Sequence, residues 1–412
     1  MRISTVTMFE QSVTSLNRQQ GDFLKVSEQI ASGRRVVNPS DDPQAASRAV
    51  GVDQARAVTQ QFADSRVSAR NSLSQAESVL NSVSDAVTRA KTLMVQASSD
   101  TLSDVDRESV ASELRGVYEA LLGQANATDG NGRYLFGGYQ DSSAPFVKDA
   151  AGEVQYVGDT NVRRQRIDAS RLMDVSDHGE AIFQSVPSGA GYVTEADAAN
   201  AGSVTFKGPE VIDSGDAGYG ERYRVSFDED AAGDPTFSVE VYDEAGGTWN
   251  ATALTEEAYN PEVTVVSVGG LKLTLEGEPA VGDSITMGPA DEMNTDLFRT
   301  FEKAIAALET PNATESDRAS QRNTLSSVMR ELDNGLDNVL TVRASMGARL
   351  NELDVVDSVG GNRLLNYEQT LSDLVDLDYA EAISEYSLRQ VGMQAAQKTF
   401  ADMKGMSLFQ FL

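Results

Sequence analysis

From Val52 to Ala97 the chain sets residues at alternating steps of three and four: Val52, Ala55, Thr59, Phe62, Arg66, Ala69, Leu73, Ala76, Leu80, Val83, Val87, Ala90, Met94 and Ala97, of which only Thr59 and Arg66 are not apolar. That spacing returns one side chain per turn or so to the same face of an α-helix, the seam by which helices pack side by side. No proline or glycine interrupts the run after Gly51. The spacing therefore predicts one helix from about Pro43 to Ser98, ~80 Å long at 1.5 Å per residue. A helix so long with a stripe so narrow cannot bury that stripe by itself, so other helices must lie along it.

Three further seams supply candidates. Val6, Phe9, Val13, Leu16, Gln20, Phe23, Ser27 and Ile30 form one that stops before Gly33. Leu325, Val328, Leu332, Gly335, Val339, Val342, Met346, Arg349, Leu353 and Val356 form another, which Gly360 and Gly361 are expected to break. Val375, Tyr379, Ala382, Tyr386, Arg389, Met393, Ala396, Phe400 and Met403 form the last. Arg66, Arg349 and Arg389 interrupt these seams, and since an unpaired buried charge is costly, each is expected to reach solvent or a carboxylate. Ser103 with Asp106 reads as a capping box opening a shorter helix striped by Val110, Leu114, Val117, Leu121 and Ala125.

Between the helical ends, VQYVG, RYRVSFDED, TFSVEVYDEAG and LKLTLEG concentrate β-formers between Gly, Pro and Asp turns and read as strands. The fold class is mostly α with a β insert, an α+β multidomain chain whose two termini build a long antiparallel helical rod. We divide it into a terminal coiled-coil segment (1–40 and 360–412), a helical rod domain (41–140 and 296–359, with a β-hairpin extending to about 168) and a β-rich acidic surface domain (145–295).

Charge and composition remove several functions. The chain has 63 Asp and Glu against 34 Lys and Arg, a net charge of −29, with one His and no Cys. Residues 141–295 hold 29 of the acids and 9 of the bases, so the insert is expected to face solvent. A polyanion is repelled by phosphate backbones and anionic lipid, which argues against nucleic acid and membrane as partners. Without thiols there is no disulfide, no Cys-ligated metal and no Cys nucleophile. No segment approaches the ~18 apolar residues of a membrane helix, and MRISTVTMFEQSV lacks the apolar stretch of a cleavable secretory signal.

Chemical motifs are equally sparse. His178 has Asp174, Asp177 and Glu180 nearby, too few ligands for a metal, and reads as part of a solvated loop. Asp228, Glu229, Asp230 and Asp234 lack the alternating spacing of a calcium loop. The glycines at 215–220 have no strand-to-helix context and read as a turn. No GxSxG or HExxH occurs. We expect no catalytic residue, metal or cofactor.

The opening MRIST, the segment SEQIASGRRVVNPSDDPQAASRAV at 27–50, GRYLFGGY at 132–139 and the closing SDLVDLDYAEAISEYSLRQVGMQAAQKTFADMKGMSLFQFL resemble the bacterial flagellin superfamily, and within it the proteins of the hook-filament junction. The likeness covers both helical ends and leaves the middle unmatched. It implies a structural, non-enzymatic protein of the extracellular flagellum, exported unfolded through the type III channel without a cleavable signal peptide. It also implies partners: a ring of its own copies, hook-associated protein 1 on the hook side, flagellin on the filament side, and an export chaperone at the C-terminal segment. Filament flagellin is the alternative within the superfamily. An adhesin or glycan-binding role for the central β domain is the alternative from another class, and it would call for clustered aromatics where the insert has Trp249 and scattered Tyr.

Both terminal seams are satisfied most simply if the chain folds back, pairing 3–32 with 363–405 and bringing the termini to one pole. Two helices that share a single seam leave most of their sides wet, so the pair is expected to be mobile in the monomer and to order on assembly. The expected interface comprises Val6, Phe9, Val13, Leu16, Phe23, Ile30, Val375, Tyr379, Tyr386, Met393, Phe400 and Met403 with the apolar tail Leu408, Phe409, Phe411 and Leu412. Between helices, Pro39 drives Asn38 out of helical conformation, Ser40 or Asp41 is placed to cap, Asp42 favours the positive helix start, and Pro43 begins the next helix. Arg34 and Arg35 are placed to pair with Asp41 and Asp42 or with a neighbouring copy.

Overall fold

The structure is a computed structural model that describes residues 5–99 and 102–405. In chain order it comprises α1 (Thr5–Ser32), α2 (Pro43–Ala97), α3 (Asp104–Ala125), β1 (Phe146–Lys148), β2 (Val154–Tyr156), β3 (Arg164–Asp168), β4 (Arg171–Asp174), α4 (Gly179–Phe183) and β5 (Tyr192–Ala196). There follow β6 (Thr205–Val211), β7 (Tyr223–Glu229), β8 (Pro235–Asp243), β9 (Thr248–Ala251), β10 (Glu257–Ala258), β11 (Thr264–Val268), β12 (Leu271–Glu276), β13 (Ser284–Pro289), α5 (Leu297–Glu309), α6 (Glu315–Val375) and α7 (Tyr379–Gly405). The described residues form two compact units. One holds the chain through Arg66, Ile167–Ala169 and everything from Asp354 onward; the other holds Val67–Arg166 and Ser170–Leu353.

In the second unit the predicted seams are filled. Ala69, Leu73, Ala76, Leu80, Val83, Val87, Ala90, Met94 and Ala97 of α2 are all buried, as are Leu325, Val328, Leu332, Val339, Met346 and Leu353 of α6. The two helices are antiparallel: Glu77 pairs with Arg343 at 2.9 Å and Lys91 with Asp333, so partner numbers fall along α6 as they rise along α2. Helix α3 begins at the predicted capping box, Ser103 Oγ accepting from Asp106 N–H at 3.3 Å and the Asp106 carboxylate accepting from Ser103 N–H at 3.2 Å. Hydrogen bonds from Ser103 hold the Asp106 carboxyl below its ordinary pKa. Tyr118 of α3 packs on Phe298 and Phe301 of α5.

The insert is antiparallel throughout. One sheet runs β10-β8-β7-β13-β5 with β9 added on β8, and a second runs β11-β12-β6. Alternating inward residues of both, among them Val225, Phe227, Val239, Leu273, Leu275 and Ile285, share one core. All four strands read from the sequence are present, as β2, β7, β8 and β12. Short strands such as β9 and β10 carried no signal above their turns. Asp230 closes the β7-β8 hairpin, its carboxylate accepting from Ala232 N–H at 2.8 Å and Asp234 N–H at 3.0 Å.

A second stripe on α6 escaped the sequence reading because it is polar. Asn323, Ser327, Glu331, Asn334 and Asn338 are all buried, spaced so that they fall on one face beside the apolar row. Asn323 brackets β6, donating to Val204 O at 2.7 Å and accepting from Phe206 N–H at 3.1 Å. Ser327 donates to Thr194 O of β5 at 2.5 Å, and Asn338 donates to Ala181 O at 2.8 Å. The Glu331 carboxylate, fully covered, accepts from Lys303 at 3.0 Å, Thr300 at 2.9 Å and Asn294 at 2.7 Å. Burial opposes the charge on Lys303, but Glu331 and Glu195 outweigh it and hold the ammonium above its ordinary pKa.

One sequence expectation is overturned. Gly360 and Gly361 do not end α6, which continues to Val375. A helical glycine costs only about 1 kcal/mol against alanine, and here the absent side chain makes room for a buried cation. Arg66 is 2% exposed. Its Nε donates to Asp357 and its Nη1 to Ile167 O at 3.0 Å, while its Nη2 lies 2.5 Å from where a Cβ on residue 360 would stand. Nothing lies within 4 Å of the corresponding point on Gly361. In urea unfolding of the full chain, Gly360→Val is expected to destabilise by about 1–3 kcal/mol through overpacking, and Gly361→Ala to stabilise by up to about 1 kcal/mol. Equal effects at the two positions would refute this account of Gly360.

Candidate assembly interface

In the first unit α1 and α7 form an antiparallel pair along the predicted seams. Phe9 packs at a tilt against Phe400 with ring centroids 5.4 Å apart, and Phe23 against Tyr386 at 4.8 Å. Moving 14 residues along α1 moves the partner 14 residues back along α7, so the two helices keep one register. Arg389 reaches Asp22 of α1 at 3.0 Å and Glu385 at 3.0 Å. In the other unit Arg349 reaches Asp177 at 2.7 Å. With Arg66 on Asp357, all three seam arginines find carboxylates.

The helix that pairs with α1 begins at Tyr379, not at 363 as the glycine break suggested. The break falls at Asp376–Asp378, and Asp378 caps α7 by accepting from Ala380 N–H at 2.9 Å. Opposite it lies the connector that follows α1, and the two are joined by backbone. Arg35 N–H donates to Val375 O at 2.7 Å, Leu377 N–H donates to Gly33 O at 3.1 Å, and Arg34 bridges Asp376. Gly33 has φ +69°, a left-handed conformation that favours glycine, and a Cβ there would sit 3.0 Å from the Tyr379 hydroxyl oxygen. Arg35 adds a hydrogen bond from Nη2 to Leu374 O at 2.7 Å.

Within that connector the acids divide their work differently from the sequence expectation. The α2 cap is Asp42, accepting from Ala45 N–H at 3.0 Å, with Pro43 as the first helical residue. Asp41 folds the turn, accepting from Asn38 N–H at 2.9 Å and Val37 N–H at 3.3 Å, and pairs with Lys25 at 3.0 Å. Arg35 does pair with Asp42, at 3.3 Å. Pro39 and Ser40 are exposed at the turn. A groove of about 880 Å³ runs beside this connector, lined by Val37, Pro39, Ala49, Val50, Leu371 and Val375 among others.

Burial along the terminal pair is partial. Val13, Leu16, Phe23, Ile30, Val375, Tyr386, Met393 and Phe400 are half-buried, Phe9 and Tyr379 are exposed, and Val26 and Ala382 are the buried apolar positions among the described side chains of α1 and α7. The side chains of Val6 and Met403, and the tail residues Leu408, Phe409, Phe411 and Leu412, lie outside what the structure describes. Beyond the seam, large apolar side chains point to solvent: Leu24 is 59% exposed, Ile383 54%, Leu388 72% and Val391 64%. These positions fell off the seam and were not singled out from the sequence; their signal was apolar residues outside the three-and-four spacing.

The remaining motifs are structural. His178 caps α4, its Nδ1 accepting from Ala181 N–H at 3.3 Å. Trp249 packs at a tilt of 57° against Tyr242 and has the Arg224 guanidinium 4.5 Å from its ring centroid, so one of its faces is already taken. Among the described residues no group of acids and histidine is arranged to hold a metal, and no helix is long and apolar enough to cross a membrane.

Residues 3–141 match the family description "Bacterial flagellin N-terminal helical region". Across its whole length the chain is 36% identical over 411 residues to flagellar hook-associated protein 3 of Escherichia coli K12, covering 100% of this chain and 99% of that one. The chain belongs to the flagellar hook-associated protein 3 family. The Salmonella typhimurium hook-associated protein 3 is 34% identical over 413 residues, covering 100% of this chain and 99% of the relative. The crystal structure of Xanthomonas campestris FlgL is 30% identical with a TM-score of 0.64, covering 78% of this chain and 99% of that one. Hook-associated protein 3 and the flagellins are structural flagellar proteins, not enzymes. In this member of the hook-associated protein 3 family the matched region takes in α1 to α3 and the GRYLFGGY segment, whose Phe136 is fully buried against Phe183.

The connector gives a pH test. Hydrogen bonds from Asn38 N–H and Lys25 hold the Asp41 carboxyl below its ordinary 3.8, and Ala45 N–H with Arg35 does the same for Asp42. Folded values below unfolded ones mean the stabilisation is complete above 3.8 and is lost as pH falls through the lowered values. Amide exchange across residues 35–46, corrected for intrinsic rates, is expected to lose protection in that window before the second half of α2 does. In the Asp41→Asn/Asp42→Asn double variant the pH dependence should disappear; its persistence would assign it elsewhere.

Proposed function

We propose that copies of this chain assemble through the uncovered faces of α1 and α7 into a ring that joins hook to filament. The observation that carries this reading is the set of large exposed apolar side chains on the terminal helices, Leu24, Ile383, Leu388 and Val391, together with a seam only half-buried. Exposed apolar side chains gathered on two paired helices mark a surface made to be covered. Residues 1–40 and 360–412 are the assembly core, 41–140 and 296–359 the helical wall, and 145–295 the acidic, solvent-facing part. The neighbours are further copies of the chain, hook-associated protein 1 towards the hook and flagellin towards the filament, with an export chaperone holding the C-terminal segment before assembly. The chain's place is the extracellular flagellum.

Leu388→Glu/Val391→Glu tests the reading. Both side chains are exposed in the isolated chain, so unfolding of the monomer is expected to shift by no more than about 0.5 kcal/mol per site. Cells carrying the variant should keep their hooks, lose their filaments and release flagellin into the medium. Normal filaments on such cells, with the variant protein exported at wild-type level, would refute the assignment.

A further inference from the structure

A strand at the edge of a sheet leaves every second residue with its main-chain N–H and C=O unpaired, and native edges are shortened, charged, interrupted by proline or covered. In the insert, β5 is covered by α6, with Ser327 donating to Thr194 O at 2.5 Å. Strand β6 is covered at its start by Asn323 and carries Lys207, Pro209 and Glu210 beyond it. Strands β9 and β10 are four and two residues long. Strand β11, the outer member of its sheet, uses none of these devices. It has five residues, and from Val263 to Val268 the chain reads VTVVSV, without charge or proline, in a segment, 141–295, that holds 29 acids and 9 bases.

The hairpin fixes which main-chain groups of β11 point outward. Gly269 and Gly270, with φ +55° and +72°, form a two-residue turn, so Val268 and Leu271 are its closing bonded pair, and by alternation Val266 and Thr264 also bond to β12. The N–H and C=O of Val263, Val265 and Ser267 therefore face away from the sheet. Among the described residues no hydrogen bond reaches them. The same three side chains stand in solvent, Val263 48% and Val265 51% exposed. We propose that this edge pairs with the β11 edge of a second copy of the chain, antiparallel about a two-fold axis at Val265. Val265 then faces the partner's Val265, and Val263 faces the partner's Ser267 on either side. Each pair exchanges N–H···O=C bonds, and the valines meet on the outer face. Charge selects this occupant: two acid-rich inserts repel except where neither is charged, and an edge of valine and serine has no carboxylate with which to choose a basic peptide. A two-fold contact closes on itself, so it joins free chains in pairs and is independent of the terminal helices and of the assembly reading. Being one strand wide, it belongs at the weak end of protein interfaces.

The test is sedimentation velocity of the full-length chain carrying Leu388→Glu/Val391→Glu, which removes the contact proposed for the terminal helices. A monomer-dimer equilibrium is expected between about 1 μM and about 1 mM. Val265→Pro takes away the outward N–H at the axis and leaves the bonds to β12 in place; Val265→Lys sets like charges opposite one another. Each is expected to weaken the dimer tenfold or more with unchanged circular dichroism, and Val265→Lys carries the test if Val265→Pro fails to fold. Since the chain has no cysteine, a short bis-maleimide should link two copies of Val265→Cys through that thiol alone. Val281→Cys, at a site 62% exposed in the same insert, should link far less. A chain that stays monomeric throughout would leave the edge to another protein's strand and overturn the proposal. So would a dimer undiminished by Val265→Lys, or equal crosslinking from the two cysteine positions.

Discussion

A stripe of apolar residues one side chain wide can leave water only against another helix, and the architecture follows from how far each length of stripe finds one. Helix α2 carries the same three-and-four spacing from end to end. From Ala69 onward every seam residue is buried, whereas Val52, Ala55 and Phe62 are half-buried and Val50 and Val58 beside them stand exposed. The difference is one of supply. In the second unit α6 runs along the stripe, tied to α2 by Glu77–Arg343 and Lys91–Asp333, and α3 is tied to α2 by Arg89–Glu113; in the first, the last turns of α6 meet α2 at Arg66. At roughly 25 cal/mol per Å² of apolar surface, what is left uncovered in the first unit is the binding energy on which the proposed assembly would draw.

A repeating stripe has a weakness of its own: sliding one helix past another by a full repeat again sets apolar against apolar. The polar contacts remove that freedom. Arg66 fits only over the missing side chain of Gly360, and Glu331 accepts from Lys303, Thr300 and Asn294 together. Buried ionic groups add little net stability but are costly to break, so they act against wrong registers more than in favour of the right one. Asn323, Ser327 and Asn338 extend the same discrimination to the insert by holding main-chain atoms at Val204, Phe206, Thr194 and Ala181.

The parts of the fold legible in the sequence are those where one periodicity acts alone. Helix α2, the capping box at Ser103 and the terminal seams were readable because apolar spacing and local cap chemistry agree with the tertiary structure. Gly360 was misread because a glycine pair normally signals a break, and its reason, a guanidinium donated from a residue far along the chain, has no local trace. The polar row of α6 was invisible for a related cause: Asn and Ser on a helix look solvated until their backbone partners are known. At the candidate interface the half-buried seam was legible, while Leu24, Ile383, Leu388 and Val391 were not, since they stand exposed and no partner among the described residues gives them a reason to be apolar.

The two connectors of the first unit differ in length, ten residues between α1 and α2 against three between α6 and α7, yet they are stitched together by Arg35 on Val375 and Leu377 on Gly33. Neither can straighten or twist without dragging the other. A load entering along one terminal helix is therefore divided at this crossing between both outgoing helices, and a turning moment applied to the pair is passed on as a couple. For a part that works under rotation, the short ladder at this crossing is a transmission coupling cut chiefly from main chain, with the Arg35 side chain on Leu374 O as its one added rivet.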